Sequence, residues 1–177
     1  NRMSDHRPNP KEFYDSVMAS KLGENYESAR WGATSLQSAQ YDMTAQTIRQ
    51  HILPVLKNAK CVLEVGPGPG TWTKLLLEAN PGAQYTLVDI SVAMLAQARK
   101  TLTQSANVAF VESDLLLFKS PQPFDFFFSS RAVEYMSDKK AVAAKISSLL
   151  ASGAHGAIIT KTPKYFFDRL RGRKVSD

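Results

Sequence analysis

The segment EVGPGPGTW, residues 64–72, places three glycines and two prolines where an apolar run ends. A glycine-rich turn between a strand and a helix commonly binds phosphate through its backbone N–H groups. Pro67 and Pro69 have no N–H to donate, so this turn lacks two of those donors. It also lacks the Gly-Lys-Ser/Thr of a P-loop, and the third glycine of a dinucleotide-binding motif would fall on Thr71. The turn therefore predicts a ligand that approaches the backbone closely without being held by its phosphates.

Two aspartates stand at the ends of the next two apolar runs. Asp89 follows Gly70 by 19 residues, and a carboxylate there can accept hydrogen bonds from both hydroxyls of a ribose. Asp114 ends the third run, where an acceptor can meet the exocyclic amine of adenine. Together with a turn that does not suit phosphate, the two carboxylates predict a site for an adenosine-containing ligand.

These residues need elements that bring the ends of several strands together. From residue 61 onward, short β-rich runs alternate with helical patterns, which is typical of a parallel sheet with helices on both faces. The predicted strands are 60–66, 83–90, 107–114, 123–131 and 155–162, and the predicted helices are 71–80, 91–104 and 138–153. Ser91 and Asp138 are predicted as N-caps and Gly153 as a C-cap. The predicted fold class is α/β, with a doubly wound, mostly parallel sheet.

The first 60 residues lack this alternation. Helical patterns cover residues 11–23 and 38–56, and an aromatic, glycine-containing loop at 24–35 joins them. We therefore predict a helical N-terminal extension at residues 1–35, followed by the ligand-binding domain at residues 36–177.

The composition indicates a folded chain. Of the 177 residues, 44% are hydrophobic and 21% are charged, and no apolar run approaches the length that crosses a bilayer. Cys61 is the only cysteine, so a reducing compartment, the cytoplasm, is expected. Residues 161–177 carry six Lys/Arg against two Asp/Glu, which is +4 of the net charge of +6. This tail predicts either a solvated end or a patch for an anionic substrate or a peripheral membrane contact; nucleic acid would favour a wider basic face.

Four motifs in order, LEVGPGPG, LVDIS, VESDLL and FDFFFSSRAVEYM, resemble the S-adenosylmethionine-dependent methyltransferases with a Rossmann-like fold. The resemblance implies a strand order of 3-2-1-4-5, with S-adenosylmethionine as cofactor and S-adenosylhomocysteine as product. The cofactor contacts that it implies are Glu64, Gly66, Pro67, Gly68, Asp89, Ile90, Met94, Ser113, Asp114, Leu115, Ser130 and Arg131. Loop 24–35 is similar to the N-terminal lids of small-molecule methyltransferases. Tyr26, Arg30 and Trp31 would then cover the methionine half of the cofactor; alternatively, Trp31 anchors the leader helix to the core.

The resemblance implies methyl transfer to a small-molecule, lipid or glycan acceptor, with no metal ion. The candidates beside the methyl donor are Glu134 as a base, Arg131 as an anion clamp and Tyr135. Glu134 and Arg131 could equally be salt-bridge partners. His51 and His155 are predicted to be structural, with His155 at the start of the fifth strand. The Asn/Asp-Pro-Pro-aromatic motif of base N-methylases is absent after the fourth strand.

The sequence departs from the family pattern at its end. Family sheets have seven strands, whereas this sequence stops fifteen residues after Thr162, with room only for a short helix at 164–174. We expect that the closing hairpin, strands six and seven, has been truncated, or else that a partner covers the edge of strand five. Two alternative functions stay open: an RNA methyltransferase, suggested by the basic tail, and a non-catalytic cofactor-binding subunit. The oligomeric state is not predicted.

Overall fold

The computed structural model describes residues 9–19, 25–103 and 106–161. In chain order the elements are α1 (Pro10–Ala19), α2 (Tyr26–Trp31), α3 (Ser35–Thr47), α4 (Leu53–Leu56), β1 (Cys61–Val65), α5 (Thr71–Ala79), β2 (Gln84–Asp89), α6 (Val92–Thr101), β3 (Val108–Glu112), β4 (Phe124–Ser130), α7 (Lys139–Leu149) and β5 (Leu150–Ile159). Within these ranges, no helix has the length and apolar character needed to cross a membrane. The helix predicted at 164–174 and most of the basic tail lie outside the described residues.

The five strands of the described chain form one parallel sheet in the order β3-β2-β1-β4-β5. β1 lies at its centre, with Leu63 opposite Thr86 of β2 and Phe127 of β4. The predicted fold class and strand order are therefore confirmed. Because the chain leaves β1 toward β2 on one side and later pairs β4 on the other, a crevice opens beyond the carboxyl ends of these strands.

Hydrophobic side chains cover both faces of the sheet. Phe126 and Phe128 pack with the buried residues of α5 and of the α3–α4 segment on one face. Phe127, which points the other way because side chains alternate along a strand, packs with Leu149 and Val142 of α7. The apolar run of β4 is thus buried on both faces, as expected for an inner strand of a parallel sheet.

Two of the three predicted helix caps are confirmed. The Ser91 hydroxyl accepts a hydrogen bond from the Met94 N–H at 3.2 Å and starts α6. The Asp138 carboxylate accepts one from the Ala141 N–H at 2.8 Å and starts α7.

The prediction for Gly153 is wrong, because α7 ends at Leu149 and β5 begins directly at Leu150. Gly153 lies inside β5 with φ +77°, at a shift of register. Phe124 pairs with Leu150 but Phe126 pairs with His155, so a step of two residues in β4 faces a step of five in β5. His155 therefore lies within β5 and not at its start. Glycine tolerates the left-handed backbone that this bulge requires.

The N-terminal region also differs from its prediction. Residues 26–31 of the predicted loop form helix α2, and α3 begins at Ser35, where the Thr34 side chain accepts a hydrogen bond from the Gln37 N–H. The predicted helix 38–56 is interrupted by a π-helical turn, Ile48–Ile52. Leu53 separates this turn from Pro54, which has no N–H to continue the regular ladder and whose ring disfavours the α-helical geometry of the preceding residue.

Candidate active site

A cavity of about 490 Å³ opens at the carboxyl ends of β1, β2, β3 and β4. Its volume falls in the range of small-molecule sites in proteins. The segments that follow the four strands form its floor and sides, and α1 and α2 contribute Tyr14, Tyr26, Glu27, Arg30 and Trp31. The position matches the crevice expected for a doubly wound sheet.

The glycine turn after β1 uses its backbone donors internally. The Gly66 N–H donates to the Val88 carbonyl at 2.8 Å, the Gly68 N–H to Oδ2 of Asp89 at 3.4 Å, and the Gly70 N–H to the Pro67 carbonyl at 3.1 Å. Pro67 and Pro69 have no N–H. From residue 66 to residue 70, every backbone donor is therefore either absent or occupied. The turn does not offer a nest of N–H groups for a pyrophosphate.

Gly66 and Gly68 both have positive φ, +70° and +56°, but their surroundings differ. A Cβ at Gly66 would lie 2.1 Å from the Cβ of Ala132, so this glycine allows the loops after β1 and β4 to touch. A Cβ at Gly68 would have no atom of the described chain within 4 Å, and Gly68 lines the cavity. The first glycine therefore serves the fold, and the second leaves room in the cavity.

Asp89 ends β2 on the cavity wall. Its Oδ1 accepts a hydrogen bond from the Ser91 N–H at 2.9 Å, while Oδ2 faces the Gly68 N–H. Burial raises the pKa of Asp89, and the N–H groups of Ser91 and Gly68 offset part of that rise. An ionised carboxylate accepts about four hydrogen bonds, so acceptor capacity remains toward the cavity.

The turn after β3 brings Ser113, Asp114 and Leu115 to the cavity wall. Asp114 stabilises its own turn, since Oδ1 accepts a hydrogen bond from the Leu116 N–H at 2.8 Å. Leu115 is buried and belongs to the core on the α7 side of the sheet. Ile90 and Met94 form the wall between this turn and Asp89.

The segment after β4 contains a strained residue and a buried ion pair. Arg131 has φ +61°, uncommon for a residue with a side chain, and lines the cavity beside Ser130. Its Nε donates to both carboxylate oxygens of Glu134 at 3.0 and 3.1 Å. Glu134 also accepts hydrogen bonds from the Thr160 hydroxyl and the Lys161 N–H, at 2.8 and 3.1 Å.

Glu134 is therefore poorly arranged to act as a base. Burial alone would raise the pKa of Glu134, but the Lys161 N–H, the Thr160 hydroxyl and the Arg131 charge outweigh it and hold this pKa below its ordinary value. Its side chain is 4% exposed and is not part of the cavity wall. Tyr135, by contrast, lines the cavity and is half exposed.

Helix α2 covers one end of the cavity. Trp31 makes edge-to-face contacts with Trp72 and Tyr41 at centroid distances of 5.6 and 5.7 Å, and the Arg30 guanidinium lies 4.8 Å from the Trp31 ring centroid. Trp31 thus anchors α2 to the core and also lines the cavity. Its predicted contact with the methionine half of a cofactor stays a prediction.

Three further wall residues, Tyr14, Glu27 and Trp72, were not among the predicted site residues. Burial raises the pKa of Tyr14 and of Tyr26, so both hydroxyls stay neutral, and Tyr135 strengthens the effect on Tyr14. The position of Tyr14 depends on how α1 docks against α6, a long-range contact that no local pattern indicates. Trp72 carried a usable signal, because it lies two residues beyond the glycine turn.

Glu64, predicted as a cofactor contact, lies behind the glycine turn and is not among the residues that line the cavity. It is 1% exposed, and burial raises the pKa of its carboxyl group to about 8, with the nearby Thr73 hydroxyl opposing part of the shift. The other predicted contacts, from the glycine turn to Arg131 and in α2, all line the cavity.

The two histidines of the described chain do not line the cavity. His51 lies in the π-helical turn, and His155 pairs with Phe126 at the opposite end of β4 from Arg131. Within residues 9–19, 25–103 and 106–161, no three His, Cys, Asp or Glu side chains are grouped to hold a metal ion.

The methyltransferase domain family matches residues 62–153, just over half of the chain. The chain belongs to this family. The match spans β1 to the bulge of β5 and includes the glycine turn, Asp89, Asp114 and Arg131. The cavity of this methyltransferase-domain chain lies where the strand order of the sheet reverses.

Curated relatives of this methyltransferase domain are longer than the chain. Trans-aconitate 2-methyltransferase of Escherichia coli O7:K1 is 33% identical over 108 residues, 61% of this chain and 41% of that protein. Malonyl-(acyl-carrier protein) O-methyltransferase 1 of Ilyobacter polytropus is 29% identical over 135 residues, 72% of this chain and 50% of that protein. The chain therefore spans half or less of the length of these two relatives.

A solved structure shares the fold of the methyltransferase domain. The N-methyltransferase NodS of Bradyrhizobium japonicum, solved with S-adenosyl-L-homocysteine, superposes with a TM-score of 0.65 at 16% identity. The superposition covers 85% of this chain and 72% of NodS.

Proposed function

We propose that the chain binds S-adenosylmethionine in this cavity and transfers its methyl group to a small-molecule acceptor. The observation that carries the proposal is the glycine turn, whose N–H groups are already bonded while Asp89 and Asp114 border the adjoining cavity. Such a site suits an adenosine without a pyrophosphate. Membership of the methyltransferase domain family favours S-adenosylmethionine among ligands of that kind.

The residues fit the two halves of an adenosine. Asp89 retains acceptor capacity toward the cavity and receives the two ribose hydroxyls. Asp114 accepts from the adenine amine, the Leu115 N–H faces a ring nitrogen, and Ile90 and Met94 contact the flat faces of the base. In this assignment a charged acceptor binds the pair of hydroxyls, and apolar side chains contact the aromatic ring. Cofactor sites commonly combine a few polar groups with apolar walls in this way.

The chain contributes mainly alignment and exclusion of water. When bound, the sulfonium of the cofactor supplies an electrophilic methyl group, so holding an acceptor in line provides most of the rate enhancement. Ser130, Arg131 and Tyr135 follow β4 and orient the acceptor. Trp31 and Arg30 of α2 cover the methionine half of the cofactor as a lid. Glu134 holds Arg131 in place and does not act as a base.

A carboxylate-bearing molecule is the acceptor class that we propose to test first. The two curated relatives have trans-aconitate and a malonyl group on a carrier protein in their names. The cavity wall carries the hydroxyls of Tyr14, Tyr26 and Tyr135, which can donate to carboxylate oxygens, and the guanidinium of Arg131.

Calorimetry with S-adenosylhomocysteine tests the cofactor site. The wild type should bind it and should bind NAD far more weakly. Asp89→Ala should lower the affinity at least tenfold, because it removes a charged acceptor of two hydrogen bonds. Pro67→Ala should change the affinity by no more than a few-fold. Tight binding of NAD, or full affinity in Asp89→Ala, would contradict the assignment. Formation of S-adenosylhomocysteine from S-adenosylmethionine on addition of candidate carboxylates then identifies the acceptor.

A further inference from the structure

Glu27 has one carboxylate oxygen bonded and one buried without a partner. It lies in the first turn of α2 and lines the cavity. Its Oε2 accepts a hydrogen bond from the Thr71 hydroxyl at 2.5 Å, which links α2 to the residue that directly follows the glycine turn. Oε1 is inaccessible to solvent and has no hydrogen-bond partner among the described residues.

This arrangement is costly unless a donor reaches Oε1. A buried carboxylate oxygen without a donor loses its hydration and regains nothing for it. Arg30, one turn further along α2, lines the same cavity, but its guanidinium is placed over the Trp31 ring and makes no hydrogen bond to Oε1. The unpartnered oxygen therefore lacks a cationic or N–H donor.

We propose that Glu27 accepts a hydrogen bond from a ligand ammonium group, namely the α-ammonium of the methionine half of S-adenosylmethionine. The inference rests on the proposed function and adds a specific contact to it. Glu27 is bonded to the residue after the glycine turn, whereas Asp89 and Asp114 mark the adenosine end beyond β2 and β3. An ammonium is the group that satisfies a buried carboxylate oxygen most strongly, because both its charge and its N–H are complementary.

An amine-bearing acceptor would offer Glu27 the same chemistry, so the test separates the two sources. S-adenosylhomocysteine carries the ammonium, and 5′-methylthioadenosine contains the nucleoside and the sulfur but lacks the amino-acid group. Neither titration requires an acceptor to be present. Calorimetric titration of wild type and Glu27→Gln with each compound therefore isolates the contact to the cofactor.

We expect Glu27→Gln to weaken S-adenosylhomocysteine binding at least tenfold and to leave 5′-methylthioadenosine binding within about twofold. The amide oxygen can still accept from Thr71, so the variant keeps the link to α5. Thr71→Val, which leaves Glu27 intact but removes its anchor, should show a smaller loss with the same selectivity. Glu78→Gln, at an exposed position on α5, is the matched control and should change neither affinity.

Two outcomes overturn the inference. Equal affinity of wild type and Glu27→Gln for S-adenosylhomocysteine would assign the ammonium elsewhere, including to an acceptor. Equal losses for the two compounds would reduce Glu27 to a link between α2 and α5. Either outcome leaves the proposed function intact, since in both the wild-type chain still binds S-adenosylhomocysteine.

Discussion

Gly66 and Gly68 look alike in the sequence, yet substitution should affect different properties. In Gly66→Ala the new methyl group clashes with the Ala132 side chain, and residue 66 must keep a left-handed backbone. We therefore expect the free energy of unfolding to fall by about 1–3 kcal/mol or more. In Gly68→Ala the methyl group projects into open space, so only the backbone cost of about 1 kcal/mol applies. The same methyl group should lower the affinity for S-adenosylhomocysteine at least tenfold.

Urea denaturation and calorimetry on the two variants measure both effects. Gly82→Ala is the control, since Gly82 has no positive φ and the nearest atom to its added Cβ, Oδ1 of Asn80, is 4.0 Å away. Wild-type affinity in Gly68→Ala would mean that the ligand does not lie against the glycine turn.

Glu64 should make the ligand-free protein less stable as the pH rises. Its pKa in the folded chain is about 8, above the ordinary value of 4.5, so between these values the folded state holds a proton that the unfolded state has released. The stabilisation is complete below pH 4.5 and is lost progressively as the pH rises to about 8, by about 1.4 kcal/mol for each unit.

Glu64→Gln cannot titrate and should flatten this part of the stability curve. Urea denaturation at several pH values between 5 and 8, roughly the interval between the two pKa values, compares the variant with the wild type. Parallel curves for the two proteins would contradict the raised pKa of the Glu64 carboxyl group.

At the scale of the elements, Glu134 fastens the turn after β4 to the end of β5. Glu134→Gln keeps the size of the side chain but removes the charge that Arg131 and the Thr160 hydroxyl bond to. Because the carboxylate is 4% exposed, we expect a loss of about 1–3 kcal/mol in the free energy of unfolding. Fluorescence-monitored denaturation measures it.

The pH dependence of this contribution has the opposite sign to that of Glu64. The pKa of Glu134 is lowered in the folded chain, so its stabilisation is present above pH 4.5 and is lost as the pH falls through the folded value. The difference in stability between wild type and Glu134→Gln should therefore shrink below pH 4.5, the ordinary pKa of the group. If the difference in stability between wild type and Glu134→Gln stayed constant down to about pH 3, the charged network would be ruled out.

The elements that the sequence predicts well are those set by local pattern. Apolar runs predict β1 and β2, and a side-chain cap predicts the start of α6. The carboxyl ends of the parallel strands then bring Gly68, Asp89 and Asp114 together. β5 was placed too late because its bulge at Gly153 depends on pairing with β4, and glycine after a helix usually indicates a cap. Helix α2 and Glu27 were missed because six residues rarely form a helix without the tertiary contacts of Trp31.

At the scale of the whole molecule, α1 connects the chain's N-terminal region to the segments that follow β2 and β3. Lys11 Nζ donates to the Ile90 carbonyl at 3.0 Å and to Glu112 at 2.7 Å, and Asp15 accepts from the Ser91 hydroxyl at 2.5 Å. Ile90 and Ser91 directly follow Asp89. We therefore predict that S-adenosylhomocysteine slows amide hydrogen exchange in residues 10–19 as well as around Asp89.

Hydrogen exchange with mass spectrometry, with and without saturating ligand, tests this coupling. Lys11→Met removes two of these contacts. It should reduce the ligand-induced protection of α1 and leave the protection around Asp89 unchanged. If ligand protects Asp89 and its neighbours but not α1 in the wild type, the helix docks independently of the site.

The internal hydrogen bonds of the glycine turn also bear on the kinetics of binding. The N–H groups of Gly66, Gly68 and Gly70 are engaged before any ligand arrives, so the turn has no N–H hydrogen bond left to form when a ligand docks. We therefore expect the turn to add no slow step to association. Under the proposed lid role of α2, residence time should depend on the side-chain contacts that hold α1 and α2 against the site. Changes in those helices should alter the dissociation rate more than the association rate.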